Sequence, residues 1–446
     1  MASSSTGRSE AASSVRAAAS DPDRSLIDLL VRYLSSTRPG SADAGDGRRG
    51  GGHTLLAVCP TSPSVVRAAL RAADRAGAPL LYAATLNQVD RDGGYTGWTP
   101  ERFADVVETE ADRMDVRVPV VLGLDHGGPW KKDRHVREGR TYDETLDGVH
   151  ASLRACIDAG YELLHLDATV DRRLPPGTPP SPRQIADRTI ALLRFAEEVR
   201  QDRGRPPLAY EVGTEEASSG LDTLGRFRSF LSRLTDGLQT AGLPAPAFVV
   251  GDVGTRLDTT GVDVDRARAL TEAVQADLGA LVKGHYTDDV EDLAAYPLSG
   301  VGAANVGPGL AAVERRALLD LVGLEERLGR ASGFPEALRE AVVTSGRWRK
   351  WVDGMSLDRD PAEATLRRAF GSLSEERRRW LVATGSRYVW NAPAVRAARE
   401  RLYDHVAPYR DGRAFVEWRI ETEIARYLHA FHLAGFLDRF RDWLSR

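Results

Sequence analysis

An acid and a histidine stand side by side at Asp125 and His126, where an apolar run ends just before two glycines and a proline. Comparable residues close five other apolar runs: His165 with Asp167, Glu211 with Glu215, Asp252, Lys283 with His285, and Asn305. Imidazole nitrogens and carboxylate oxygens are the usual ligands of a catalytic divalent metal. They are also the usual proton carriers near neutral pH. In a strand, side chains two apart share a face, so His165 and Asp167 point together, as do Lys283 and His285. Asp125 and His126 are neighbours. They reach the same place only if the backbone turns at the strand end.

Distant residues of this kind meet only if the fold brings them together. Short apolar runs lie at 54–60, 78–85, 119–126, 161–169, 207–215, 246–254, 279–287 and 300–307. Stretches with helical periodicity follow them near 63–76, 100–114, 142–159, 181–203, 221–241, 263–277, 288–295 and 308–329. Eight strand–helix units predict a closed (β/α)₈ TIM barrel with a C-terminal helical extension; an open doubly wound sheet is the alternative. In a barrel, the polar residues that end the runs fall at the C-terminal strand ends, where active sites are built. The expected organisation is a disordered N-terminal extension with one short helix (1–52), the barrel (53–330) and a helical C-terminal region (331–446). That last region holds Trp348, Trp351, Trp380, Trp390, Trp418 and Trp443. Aromatic residues at helical spacing predict packing on one face of the barrel or an oligomer contact.

Composition narrows the function class. Sixty Lys and Arg against 64 Asp and Glu give a net charge of -4, with no footprint for nucleic acid or a membrane surface. Two cysteines, Cys59 and Cys156, make no disulfide framework and fit a cytoplasmic location. The N-terminal 25 residues lack the apolar core of a secretory signal.

Several stretches carry a resemblance: "TLNQVDRDGGYTGWTPERF" (85–103), "VVLGLDHGGPW" (120–130), "AGYELLHLDAT" (159–169) and "VGTEEASSG" (212–220). "GHYTDDVEDL" (284–293), "NVGPGLAAVERRAL" (305–318), "WRKWV" (348–352) and "RYVW" (387–390) continue it in order. Together they resemble the tagatose-bisphosphate aldolase Z-type subunit family, itself similar to the metal-dependent class II aldolases. The resemblance implies a barrel that binds a divalent cation, zinc being expected. It implies Asp125 as general acid/base, with Glu211 as a second catalytic carboxylate. It implies His126 and His285 as metal ligands, Asp167 near a second cation site, and Asn305 holding substrate. Asn87, Gln88 and Gly307, in the same motifs, are expected to bind substrate.

The pattern also departs from that family. Class II aldolases end strand six in a histidine; here Asp252 is the candidate ligand in its place. Z-type chains lack that histidine too and serve as non-catalytic partners of a Y-type chain. Against an accessory role, Glu211 stands where the Z-type pattern is apolar, Lys283 where it is acidic, and Ser62 where it has a histidine. Lys283 is open to three readings: a Schiff-base nucleophile, a cation that holds a substrate phosphate or carboxylate, or a salt bridge inside the barrel. The Gly-rich segment 297–309 is a phosphate cradle or simply close packing. The expected activity is a metal-dependent aldolase acting on a ketose phosphate or related sugar. The alternatives are a ketose C4-epimerase with the same retro-aldol chemistry, or a Z-type accessory subunit. A homo-oligomer or a Y-type aldolase subunit is the expected partner.

Overall fold

The fold comes from a computed structural model that describes residues 25–39, 52–175, 178–214, 221–256, 260–358 and 360–446. The expected disordered tail, most of the Gly-rich segment after it, and Glu215 lie outside the described residues.

Eight parallel strands close into a ring, each hydrogen-bonded to the next, with the last returning to the first. They are β1 (Leu55–Val58), β2 (Leu80–Thr85), β3 (Val120–Gly127), β4 (Leu163–Leu166), β5 (Ala209–Gly213), β6 (Phe248–Val250), β7 (Leu281–Gly284) and β8 (Ala303–Val306). Nearly all of their residues are buried, because helices cover the outside and side chains fill the inside. The predicted (β/α)₈ barrel is therefore the observed fold.

Among the described residues the first element is helix α1 (Leu26–Thr37), and the barrel helices follow their strands. These are α2 (Pro63–Ala76), α3 (Pro100–Arg113), α4 (Asp133–Arg137), α5 (Tyr142–Asp158), α6 (Pro182–Asp202), α7 (Leu224–Ala241), α8 (Val264–Leu278), α9 (Ala295–Leu298) and α10 (Pro308–Arg327). Their starts are written in the sequence. Ser62, Thr99 and Ser181 each cap a helix whose next residue is proline. Thr141 and Glu144 form a reciprocal capping box.

Two local features differ from expectation. The short helix α4 was not foreseen, and the helix expected at 288–295 shrinks to α9. Residues 287–294 instead form a loop, because the Asp288 carboxylate turns back to accept the N–H groups of Gly307 and Gly309.

The C-terminal region adds α11 (Phe334–Ser345), α12 (Glu363–Gly371), α13 (Glu375–Gly385), α14 (Pro393–Val406), α15 (Gly412–Ala430) and α16 (Phe436–Leu444). One hydrophobic core runs continuously through the barrel, α1 and most of these helices. Tyr33 of α1 packs its ring on Phe436, Phe440 and Trp443 of α16. Arg67, Arg71 and Arg75 along α2 pair with Glu417 and Glu421 of α15. A smaller cluster around Trp348 and Phe370 holds α11, α12 and α13 together. Two single 3₁₀ turns, Arg347–Trp351 and Ser386–Tyr388, bring this region to the mouth of the barrel.

Candidate active site

The site begins with the strand end that carries Asp125 and His126. β2 and β3 pair in register up to Thr85 and Asp125, but the register of β3 against β4 shifts between Leu124 and Gly127. His126 takes a φ of 51° at that point. A bulge with a left-handed residue re-aims side chains. Adjacent residues thereby both line the same cavity, of about 440 Å³. Gly128 permits the turn: a Cβ there would lie 1.6 Å from the Asp167 carbonyl oxygen.

Three imidazoles meet at the strand ends: His126 and His285 line the cavity, and His165 is buried beside them. The ring centroids of His126, His165 and His285 are 4.8, 5.1 and 5.7 Å apart. His126 Nδ1 lies 2.7 Å from Asp167 Oδ2, and Lys131 Nζ approaches the same oxygen at 2.7 Å. Asp167 is fully buried; burial raises its pKa, but Lys131 and His126 outweigh that and hold it well below the carboxylate range.

His165 defines the centre. Its Nε2 lies 3.0 Å from the carbonyl oxygen of Gly213, so Nε2 carries the proton and donates. In the neutral ring, Nδ1 is then an acceptor, and the His126 backbone N–H points at it from 3.1 Å. Yet Nδ1 also stands 2.9 Å from Asp125 Oδ1 and 3.4 Å from Glu211 Oε1. A lone pair facing two carboxylates calls for a proton or a cation between them. His285 Nε2 sits 3.3 Å from Glu211 Oε1 and 3.9 Å from Asp125 Oδ1. One ligand atom each from Asp125, His165, Glu211 and His285 falls within 4.8 Å of the others; His126, His165 and Asp167 form a second such group. Two imidazoles and two carboxylates are a donor set that suits a divalent cation.

Below this layer, Lys283 Nζ lies 2.5 Å from Glu211 Oε2, with both side chains essentially inaccessible. Burial raises the pKa of Glu211, and Lys283, His165 and His285 together more than offset it, bringing it down to about 2. Neither residue is among those that line the cavity. Of the three readings of Lys283, the geometry is that of the salt bridge. Asp125 does line the cavity; burial works to raise its pKa, and His126, His285 and His165 together hold it well below the usual range.

The other predicted residues divide. Asn305 Nδ2 donates to Asp125 Oδ2 at 3.3 Å and lies 3.0 Å from His285 Nε2, while its buried Oδ1 has no hydrogen-bond partner among the described residues. Asn87 and Gln88 line the cavity; the Asn87 side chain braces the Lys131 carbonyl and the Asp133 N–H, and Gln88 accepts the Thr85 N–H. Gly307 lines it too, but its N–H is taken by Asp288. Asp252 does not join the cluster: its carboxylate pairs with Arg256 and Arg266, each at 3.1 Å. The strand-six position thus contributes no ligand, and the third imidazole comes from β4. His165 was visible as a strand-end residue but was given no role. Lys350, Trp351, Arg387 and Tyr388 also line the cavity and were not singled out as site residues, although they lie in the "WRKWV" and "RYVW" stretches.

By fold and site, the molecule is a (β/α)₈-barrel protein with a histidine–carboxylate centre at the C-terminal ends of its strands. The family to which the motifs pointed is supported by comparison. Residues 45–223 match the model of the D-tagatose-1,6-bisphosphate aldolase subunit GatZ/KbaZ-like family. A D-tagatose-1,6-bisphosphate aldolase subunit GatZ from Shigella boydii is 27% identical over 323 residues, covering 67% of this chain and 75% of that protein. The protein of the same name from Escherichia coli is 28% identical over the same shares. A crystal structure of a probable tagatose 6 phosphate kinase from Sinorhizobium meliloti 1021 has a similar fold, with a TM-score of 0.64 at 24% identity. It covers 84% of this chain and 100% of that one.

Proposed function

We propose that this chain is itself a catalyst: an aldolase-type lyase that cleaves and forms a carbon–carbon bond beside the carbonyl of a ketose phosphate or related sugar. The observation that carries this reading is Asp125, a carboxylate that lines the cavity with one oxygen bonded by the Asn305 amide and the other 2.9 Å from His165 Nδ1. Glu211 and Lys283, which stand where the accessory pattern is apolar and acidic, belong to the same cluster and favour a catalytic over an accessory role.

Asp125 takes the proton from the substrate hydroxyl next to the breaking bond. The hydroxyl carbon leaves as an aldehyde, and the electron pair of the broken bond passes toward the neighbouring carbonyl as an enediolate. Asp125 holds the proton for the reverse step. A divalent cation, zinc by the resemblance, would be held by His165, His285 and the carboxylates around them, with His126 oriented by Asp167 as a further ligand. Bound there, it supplies a Lewis acid that spreads the charge of the enediolate. Glu211 acts as a positioning residue: it is paired with Lys283 and touches both His165 and His285. Asn305, Asn87 and Gln88 orient the sugar hydroxyls.

A C4-epimerase outcome is the second reading. Lys350, Trp351, Arg387 and Tyr388 add a wall from the C-terminal region to the cavity. A deeper cavity favours retention of both fragments for re-addition on the other face. The relatives are named as subunits, so a Y-type chain or a second copy of this chain is the proposed partner. Cys59 and Cys156 are buried and free, which suits the cytoplasmic location expected from the sequence. Among the described residues, no helix is long and apolar enough to cross a membrane.

The test is to incubate the purified chain, supplied with divalent metal, with ketose phosphates and free hexuloses. Aldehyde fragments identify the lyase, and a C4 epimer identifies the epimerase. Asp125→Asn is expected to lower either rate by about 10²–10⁴-fold, the usual share of a general acid/base. Metal-loaded wild type that forms neither product would sink the catalytic reading.

A further inference from the structure

The cavity has two places where an anionic group of a substrate would be stabilised, and they differ in one respect. The first is the start of α10, where backbone N–H groups at a helix N-terminus favour an anion. That cradle is already filled by the protein: Gly307 and Gly309 both donate to Asp288 Oδ1 at 2.7 Å. The second lies on the wall contributed by the C-terminal region. Arg387, only 7% exposed, lines the cavity and donates to the Thr384 carbonyl at 2.7 Å and to the Tyr388 hydroxyl at 2.9 Å. Its guanidinium lies 4.6 Å from the Tyr388 ring centroid. Among the described residues, no carboxylate pairs with it within 4 Å.

Its neighbours add to the imbalance. Lys350 Nζ is 4.9 Å from the Tyr388 ring centroid, and Arg347 stands 5.5 and 5.2 Å from Tyr95 and Tyr388. Asp133 alone pairs with them among the described residues, at 3.6 Å from both Arg347 and Lys350. Three cations thus surround one aromatic pair; Asp133 pairs with two of them, and Asp288, which also lines the cavity, acts on Arg387 only from beyond ion-pair distance. A buried charge with no carboxylate in direct contact is costly, so a site that keeps one suits a ligand that completes it. The Tyr388 phenol reports the same field: burial works to raise its pKa, yet Arg387 and Lys350 bring it below the ordinary value of 10.

We propose that Arg387 and Lys350 form an anion subsite that takes the phosphate or carboxylate end of the substrate in the cavity that Asp125 lines. This rests on the reading of that cavity as the place of aldol chemistry and names the substrate's charge class. A planar guanidinium beside an ammonium suits either oxyanion.

Calorimetric titration of the full chain with glycerol 3-phosphate, glycerate and neutral glycerol tests it. One of the two anions should bind saturably while glycerol does not; which one binds separates phosphate from carboxylate. Arg387→Met should weaken that binding by at least about tenfold, the value of a lost charge-assisted hydrogen bond, and Arg387→Lys by less. Lys350→Met, at a side chain that is 26% exposed, keeps the test open should Arg387→Met fail to fold; it should weaken binding by a smaller factor. Anions that bind no better than glycerol would overturn the subsite. So would Lys350→Met and the folded Arg387 variants binding the anion as wild type does. Asp125→Asn separates the two claims: it should lower turnover about 10²–10⁴-fold and leave the anion titration intact. Lost turnover in Asp125→Asn, with no anion binding by wild type, rejects the subsite alone. Intact anion binding, with turnover unaffected by Asp125→Asn, supports the subsite and rejects the chemistry.

Discussion

Lys283 and Glu211 are paired inside the barrel with almost no solvent contact, so neither can lose the other cheaply. Lys283→Met leaves a buried carboxylate uncompensated and is expected to cost about 3–5 kcal/mol. Urea denaturation should show a lower midpoint for that variant and partial recovery in Lys283→Met/Glu211→Met; equal midpoints for wild type and Lys283→Met would refute the pairing. His165 is the imidazole that the sequence reading passed over. Its alternation with Asp167 was legible, but alternation along one strand does not show which neighbouring strand ends converge on it. Asp252 erred the other way: its strand-end position was legible, whereas Arg266, on the next helix, was not visible as its partner. His165→Ala should lower metal affinity at least about tenfold, since even outer partners of a ligand have that effect. Elemental analysis of the dialysed variant reads this directly; metal retained as in wild type would remove His165 from the centre. Asp288 titrates in the opposite sense to the paired acids. Burial pushes its pKa up to about 6, against an ordinary 3.8. Its protonated form is thus favoured by folding, and stability is lost as pH rises from about 4 through 6. Asp288→Asn, which keeps an oxygen for the two N–H groups, should be more stable than wild type at pH 7.5 by about 1–3 kcal/mol and nearly equal at pH 4. No difference between the two pH values would contradict that assignment.

At the scale of elements, the decisive piece is the bulged end of β3. The sequence shows Asp125 and His126 as neighbours that should diverge; the left-handed backbone at His126 makes them converge. The signal lay in the two glycines that follow, and its meaning needed β4 beside them. Gly128→Ala would drive a methyl group into the Asp167 carbonyl. It should cost about 1–3 kcal/mol or more, the usual range for overpacking, and separate Asp125 from His126. Thermal denaturation together with metal content checks this; a variant that matches wild type in both would show that the turn tolerates a side chain. Strands and long helices were legible because apolar periodicity and Ser/Thr-Pro starts are local signals. The loop at 287–294 was not, because Asp288 trades helical bonds for amides some twenty residues further on.

At the scale of the whole molecule, the C-terminal region carries more than packing. Trp348 and Trp390 are buried as aromatic spacing suggested, but Lys350, Trp351, Arg387 and Tyr388 reach the mouth of the barrel. Nothing in a helical pattern tells which turns of a tail will face a cavity whose other lining residues are spread from Cys59 to Pro308. One chain therefore holds the proposed proton carrier, the candidate metal ligands and the cationic wall together. The central claim is that this single chain performs carbon–carbon chemistry, and the most direct measurement follows ketose conversion by the purified, metal-supplied chain with no second protein present. The account predicts aldehyde or C4-epimer formation by wild type and its loss in Asp125→Asn. Identical traces for the two proteins, at the level of the no-protein control, would contradict it.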